Sequence, residues 1–289
     1  MKFINFVLYI RLYSKILFMD KKRILYVTSE LTPYFTENNI SSLSLEAAKR
    51  MREAGNDVRV FMPRFGTINE RRHQLHEVIR LSGMNIVVND TDQPLIIKVA
   101  SVPGAKIQTY FIDNEEYFKR KAVYGDDENS LFEDNDERLI FFTRGILETI
   151  KKLNWPPDII HVQGWFGSLL PLYVKTLYEK EPIFSRSKVV YSLFRRSFKG
   201  TVKSNLADKV ASDGVKSEAI KLLENPTFEN LNKIAVIFSD GVVEAAEDLP
   251  KMLKNLPHEV KLNYRPIQEI KESFLSFYSK KVLEIKESK

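Results

Sequence analysis

From Arg23 onward, short apolar runs alternate with stretches of helical periodicity. Arg23 to Ser29 (RILYVTS) has the β-former content of a strand buried on both faces. A polar loop, Glu30 to Asn39, follows it. Leu43, Ala47, Ala48 and Met51 then fall on one helical face, with Ser41 or Ser42 as the expected N-cap and Gly55 as the left-handed stop. Asp57 to Met62 predicts a second strand. Ile86 to Val88, Pro94 to Val102 and Ile107 to Ile112 predict three more, close enough in sequence to include antiparallel pairs. Leu139, Phe142, Ile146, Ile150 and Leu153 define a long helix, Asn135 to Leu153, stopped by Pro156-Pro157. Beyond it the pattern predicts a strand at Asp158 to Val162 and an apolar helix at Leu169 to Tyr178. Two strands, Lys188 to Phe194 and Ile234 to Ser239, follow. A final helix, Gln268 to Lys286, has Lys281 as a polar break.

This alternation predicts an α/β fold: an open, mostly parallel Rossmann-like sheet with helices on both faces. Ligands of such sheets sit beyond the carboxyl ends of the strands, which directs attention to the loops after Ser29, Val162, Phe194 and Ser239. The expected organisation is one domain over residues 19–260, with 261–289 a C-terminal helix packing back on it. Residues 1–18 are apolar but interrupted by Arg11 and Lys15. Their longest uncharged run, Phe3 to Ile10, is too short to span a bilayer. They are expected to be a non-native extension or disordered, with Met19 as the start; a weak amphipathic membrane anchor is the alternative.

Composition narrows the chemistry. The chain has no cysteine, which excludes disulfides and thiolate nucleophiles and suits a cytoplasmic setting. The net charge of +6 accommodates anionic ligands, but no nucleic-acid-binding module accompanies it. No glycine-rich phosphate loop follows any strand, and the first strand runs instead into Thr32 to Asn39. His73 and His76 would share a helix face, but no third ligand completes a metal site, and no cofactor is expected. His161, at the end of its predicted strand, is either a site residue or a structural histidine bonded to neighbouring backbone. In Val162-Gln163-Gly164-Trp165-Phe166-Gly167, Trp165 either stacks on a sugar or base or caps the core beneath the loop. Carboxylates gather at Asp126, Asp127, Glu128, Glu133, Asp134, Asp136 and Glu137. Paired acids can serve glycoside chemistry. Here they read as a solvated loop entering a helix whose N-terminus favours Asp136 and Glu137.

Six stretches in order resemble the N-terminal catalytic domain of bacterial starch and glycogen synthases: KKRILYVTSELTPYF, AGNDVRVFMPRF, EDNDERLIFFTRGILE, PPDIIHVQGWFGSLLPLYVK, KVVYSLFRRSFKG and NKIAVIFSDGVVEAAEDLPKML. Together they cover roughly Lys21 to Leu253, and the chain looks like a compact single-domain branch of that family known from Bacteroidetes-type bacteria. The resemblance implies the first half of a GT-B glycosyltransferase, which elongates α-1,4-glucan from ADP-glucose between two Rossmann-like domains. After Leu253 only about a helix's worth of chain remains, so the second domain is expected to be absent.

The chain departs from the family pattern where chemistry is done. The Lys-x-Gly-Gly donor loop reads Thr36-Glu37-Asn38-Asn39. The acceptor-side His-Asp-Trp-His reads Gln163-Gly164-Trp165-Phe166, and the His-Asn pair reads Phe194-Arg195. The resemblance therefore implies Tyr34, Thr36, His161, Trp165 and Arg195 as substrate-binding candidates, ADP-glucose and α-glucan as ligands, and a degenerate or partner-dependent enzyme. A protein partner or homo-oligomer is a further expectation. A non-catalytic glucan- or nucleotide-binding protein is the alternative.

Overall fold

The computed structural model describes residues 21–126, 130–195, 198–246, 261–262 and 277–282. Its centre is a single sheet. Strands β1 (Arg23–Thr28), β2 (Asp57–Pro63), β6 (Ile107–Asp113), β7 (Ile159–Gln163), β8 (Lys188–Leu193), β9 (Gly241–Glu244) and β10 (Lys261–Leu262) run parallel in the order β10-β9-β8-β7-β1-β2-β6. An antiparallel edge continues past β6 with β5 (Thr91–Val102), which pairs with β3 (His76–Glu77) and β4 (Met84–Val88). The chain first builds outward from β1 through β2 and then, from β7, outward on the other side. The crevice between β1 and β7 is thus the topological switch point, where open α/β sheets bind ligands.

Local chemistry sets the helices. Helix α1 (Asn39–Glu53) is capped by Asn38, not by Ser41 or Ser42. The Asn38 side chain accepts from the amides of Ile40 at 2.9 Å and Ser41 at 3.0 Å, and Ser41 Oγ accepts from the Asn38 amide at 2.9 Å. This reciprocal box uses Ser41 at its third position, which explains why the serines mimic a cap in the sequence. Gly55, at φ +91°, ends the helix as expected. Short helix α2 (Glu115–Phe118) precedes α3 (Asn135–Leu153), which Asn154 stops in the left-handed region before the prolines are reached. Helix α4 (Leu169–Lys175) is shorter than its apolar run, and α5 (Leu206–Ser212) follows β8.

The expected strand Ile234 to Ser239 is helical. Helix α6 (Phe228–Ile237) is capped by Thr227, whose Oγ1 accepts from the Asn230 amide at 3.2 Å, and the strand begins only at Gly241. A short apolar run fits a buried helix as well as a strand. Ser239 consequently lies at the amino end of β9, away from the carboxyl edge. His73 and His76 share no helix: His73 lies in a turn against Tyr34, and His76 is in β3.

Both sheet faces are covered. Tyr191 of β8 reaches α6 through Asn232 at 2.8 Å. On the opposite face, Tyr26 meets α1 at the Ala47 carbonyl at 3.4 Å and the 277–282 segment at the Tyr278 hydroxyl at 3.1 Å. That segment is π-helical, and its Phe277 and Val282 fit over the bare backbone of Gly241. The rest of the expected C-terminal helix, and residues 1–20, lie outside the described residues.

Candidate functional site

The carboxyl ends of β1 and β7 carry a dense polar and aromatic constellation. Immediately after β1, Glu30 is fully buried. Its Oε1 lies 3.0 Å from the Tyr124 hydroxyl and its Oε2 accepts from Asn38 Nδ2 at 2.6 Å. The Tyr124 hydroxyl also meets Ser29 Oγ at 2.7 Å. Asn38 therefore caps α1 and holds the carboxylate with the two halves of one side chain, which locks the loop 30–38 to the sheet.

Tyr124 arrives from a segment far away in sequence, and Arg138 of α3 holds that segment. The buried guanidinium donates to the carbonyls of Tyr117 at 2.8 Å and Val123 at 2.9 Å and to Asn135 Oδ1 at 2.6 Å. Phe65, Phe118, Phe132 and Phe166 surround it within 5.6 Å of their centroids. Burial pulls its pKa down to about 10, so it stays charged at neutral pH. The carboxylates nearby are structural as well. Asp136 is buried against Lys209 at 2.5 Å, Glu137 meets the same ammonium at 2.7 Å, and Asp134 pairs with Arg120 at 2.5 Å. The expected solvated loop is thus anchored at Asp136, whose pKa burial raises. Asp127 and Glu128 lie outside the described residues.

Trp165 follows Gly164, whose φ of +82° makes the corner after β7. The indole is 4% exposed, between Tyr124 at 4.9 Å and Phe198 at 4.7 Å. The indole packs on the core beneath this corner. His161 lies one step deeper than expected, because β7 runs on to Gln163. Its Nδ1 meets the Tyr278 hydroxyl and its Nε2 meets Ser192 Oγ at 2.6 Å. Both ring nitrogens meet hydroxyls. Burial drops its pKa to about 3, leaving a neutral imidazole.

Gln163 occupies the edge position instead. It is fully buried, and neither its amide nitrogen nor its oxygen makes a hydrogen bond among the described residues. In register it pairs with Thr28 and Ser192. Thr36 is exposed, with its carbonyl accepting from Ser41 Oγ at 3.0 Å, and Arg195 is exposed just past β8. Tyr34 turns away, packing edge-on against Phe111 at 5.0 Å and His73 at 5.1 Å; burial pushes its phenol up to about 12. The structure thus gathers Trp165, His161 and the Thr36 loop around the β1–β7 crevice and sets Tyr34 toward β6. Sequence reasoning missed Glu30, Tyr124 and Gln163. Glu30 had a usable signal, a carboxylate directly behind a buried strand; Tyr124 had none.

Among the described residues no helix is long and apolar enough to cross a membrane. Residues 23–247 match the family described as the starch synthase catalytic domain. The chain is 36% identical over 204 residues to a glycogen synthase of Chlorobium limicola, covering 70% of this chain and 42% of that one. It is 37% identical over 190 residues to a glycogen synthase of Chlorobaculum tepidum, covering 65% and 38%. Among solved structures, the catalytic domain of starch synthase IV from Arabidopsis thaliana, bound to ADP and acarbose, superposes with a TM-score of 0.62 at 18% identity. That match covers 78% of this chain and 45% of the other, and it speaks to the fold alone. The chain therefore spans about 42% of the length of a curated relative it matches.

Proposed function

This chain belongs to the starch synthase catalytic domain family, and from that membership we propose that its β1–β7 crevice binds ADP-glucose or an α-glucan without turning it over on its own. The reading is a degenerate or partner-dependent glycan synthase domain, working in the cytoplasm. The observation that carries it is the commitment of the groups at the crevice. Glu30 is tied to Tyr124 and Asn38. His161 is neutral and held between two hydroxyls. Glucosyl transfer needs preorganised donors or charge at the departing diphosphate, and losing one such donor costs roughly 3 kcal/mol of transition-state stabilisation. Among the described residues, Arg195 is an exposed cation at the rim. The Gln163 amide is a buried polar group without a hydrogen bond among the described residues, suited to a sugar hydroxyl.

The test is calorimetry and a coupled ADP-release assay on the purified chain with ADP-glucose and maltooligosaccharides. The expected result is binding heat for at least one ligand, with Trp165 fluorescence changing on binding, and no steady ADP release until a partner protein is added. Absence of binding to ADP, ADP-glucose and maltooligosaccharide alike overturns the reading. Steady ADP release from the chain alone overturns its degenerate half and makes it a working transferase.

A further inference from the structure

A second concavity lies at the opposite edge of the sheet. It has a volume of about 480 Å³ and is lined by Arg52, Asp57, Ser101, Gly104, Lys106 and Gln108, among others. Three elements form it: the last turn of α1, the first residue of β2, and the β5–β6 turn, where Gly104 and Lys106 both take positive φ. β2 separates this cleft from the carboxyl edge by its whole length, about 20 Å for seven residues. The volume falls within the range of ordinary small-molecule sites, roughly 300–1,000 Å³.

We propose that this cleft is a binding site for a small phosphorylated polyol, with Arg52 and Lys106 taking the phosphate and Asp57, Ser101 and Gln108 taking the hydroxyls. The cations carry the first half of the argument. Arg52 and Lys106 have no carboxylate at ion-pair distance among the described residues. Arg52 spends one donor on the Asn56 carbonyl at 3.2 Å, which fixes the guanidinium beside the cleft and leaves its other N–H groups available.

The carboxylate and the amide carry the second half. Asp57 Oδ2 accepts from the Trp155 indole at 3.0 Å, which orients the carboxylate and leaves Oδ1 to accept from a hydroxyl. Gln108 Oε1 accepts from the Tyr110 hydroxyl at 3.1 Å, so its amide protons are the part left to donate. A carboxylate would repel a bare polyanion, whereas beside two cations it suits a ligand with one charged end and one hydroxylated end. Among the described residues no aromatic ring lines the cleft, which removes the stacking platform that a neutral oligosaccharide would use.

The test is an amide-resolved NMR titration of the full chain with glucose 1-phosphate, run beside glucose alone and inorganic phosphate alone. Expected are millimolar or tighter shifts at Ser101, Gly104, Lys106 and Gln108 with glucose 1-phosphate, weaker shifts at the same amides with phosphate, and silence with glucose. The double variant Arg52→Gln/Lys106→Gln should bind roughly tenfold more weakly or worse while melting within about 4 °C of the wild type, the drop expected from losing the Arg52–Asn56 bond. Four results overturn the proposal: no shifts at these amides, equal shifts with glucose alone, shifts confined to the Gly164 to Ser168 corner, or a double variant that binds as wild type. Because ligand, edge and residues differ from those of the β1–β7 crevice, either site can fail without the other.

Discussion

The two faces of the central strands are both buried, yet they are made of different chemistry. One face presents Leu25 and Val27 of β1, Ile160 and Val162 of β7 and Val189 of β8, with Tyr191 as its polar exception. The other presents Tyr26 and Thr28, His161 and Gln163, and Ser192 from the same strands. Alternation along a strand assigns each residue to a face, so one five-residue strand contributes to both. The apolar face gains free energy in proportion to area, without regard to direction. The polar face loses free energy wherever a buried donor or acceptor lacks a partner. It therefore fixes the position of what covers it, here the hydroxyl of Tyr278 wedged between Tyr26 and His161.

The largest expected effect is on the apolar side. Phe166, fully buried at the corner after β7, packs against Phe65, Phe118, Tyr124 and Phe142. Phe166→Ala should cost ~3–5 kcal/mol in urea unfolding, as transfer and cavity costs add. A loss under ~1 kcal/mol would mean that this side collapses around the gap, and the distinction between the faces would weaken. On the polar side, His161→Leu keeps much of the volume but strands the hydroxyl of Ser192 and takes one partner from that of Tyr278, and the expected cost is ~2–3 kcal/mol. It also carries a pH signature. The folded-state pKa of His161 is about 3, below the ordinary histidine value of 6.5. Its contribution is therefore complete above pH 6.5 and is lost as pH falls from there toward 3, at up to ~1.4 kcal/mol per unit. Stability measured against pH should fall less steeply in His161→Leu over that window. Parallel curves would show that the imidazole is not buried neutral.

Much of this comparison was legible before any coordinates. The apolar runs gave β1, β2, β6, β7 and β8, and the motif series gave the family. The failures came where local pattern underdetermines structure. IAVIFS has no intrinsic preference strong enough to separate a buried helix from a strand, and Thr227 decided for the helix seven residues upstream. The end of β7 was placed one residue early, at Val162. Because the side-chain period is two, that single residue put His161 at the mouth when Gln163 holds that place on the same face. Tyr124 could not be foreseen, because its position at Glu30 depends on Arg138, Asn135 and four phenylalanines acting across the fold.

A smaller effect is expected at the cover itself. Tyr278→Phe keeps the ring and removes one hydroxyl, leaving Tyr26 and His161 each short of a partner. The expected cost is ~1–2 kcal/mol, with faster amide exchange in 277–282 than elsewhere in the chain. Exchange that rises uniformly would indicate general destabilisation and no positional role for the wedge.

The smallest effect should have the opposite sign. Gln163 is buried at the same depth as His161, but its amide is bonded to nothing among the described residues. An unmet buried polar group costs ~1–3 kcal/mol, and an apolar side chain of similar shape avoids that cost. Gln163→Met should therefore stabilise the chain by up to ~1 kcal/mol, a rise of roughly 2–4 °C in Tm for a domain of this size. If the amide is kept for a sugar hydroxyl in the β1–β7 crevice, the same substitution should weaken maltooligosaccharide or ADP-glucose binding, trading affinity for stability. A destabilised variant would show that Gln163 is satisfied in solution and belongs with His161. A stabilised variant with unchanged ligand binding would make the amide an idle polar group and move the crevice's ligand contacts to Thr36 and Arg195 at its rim.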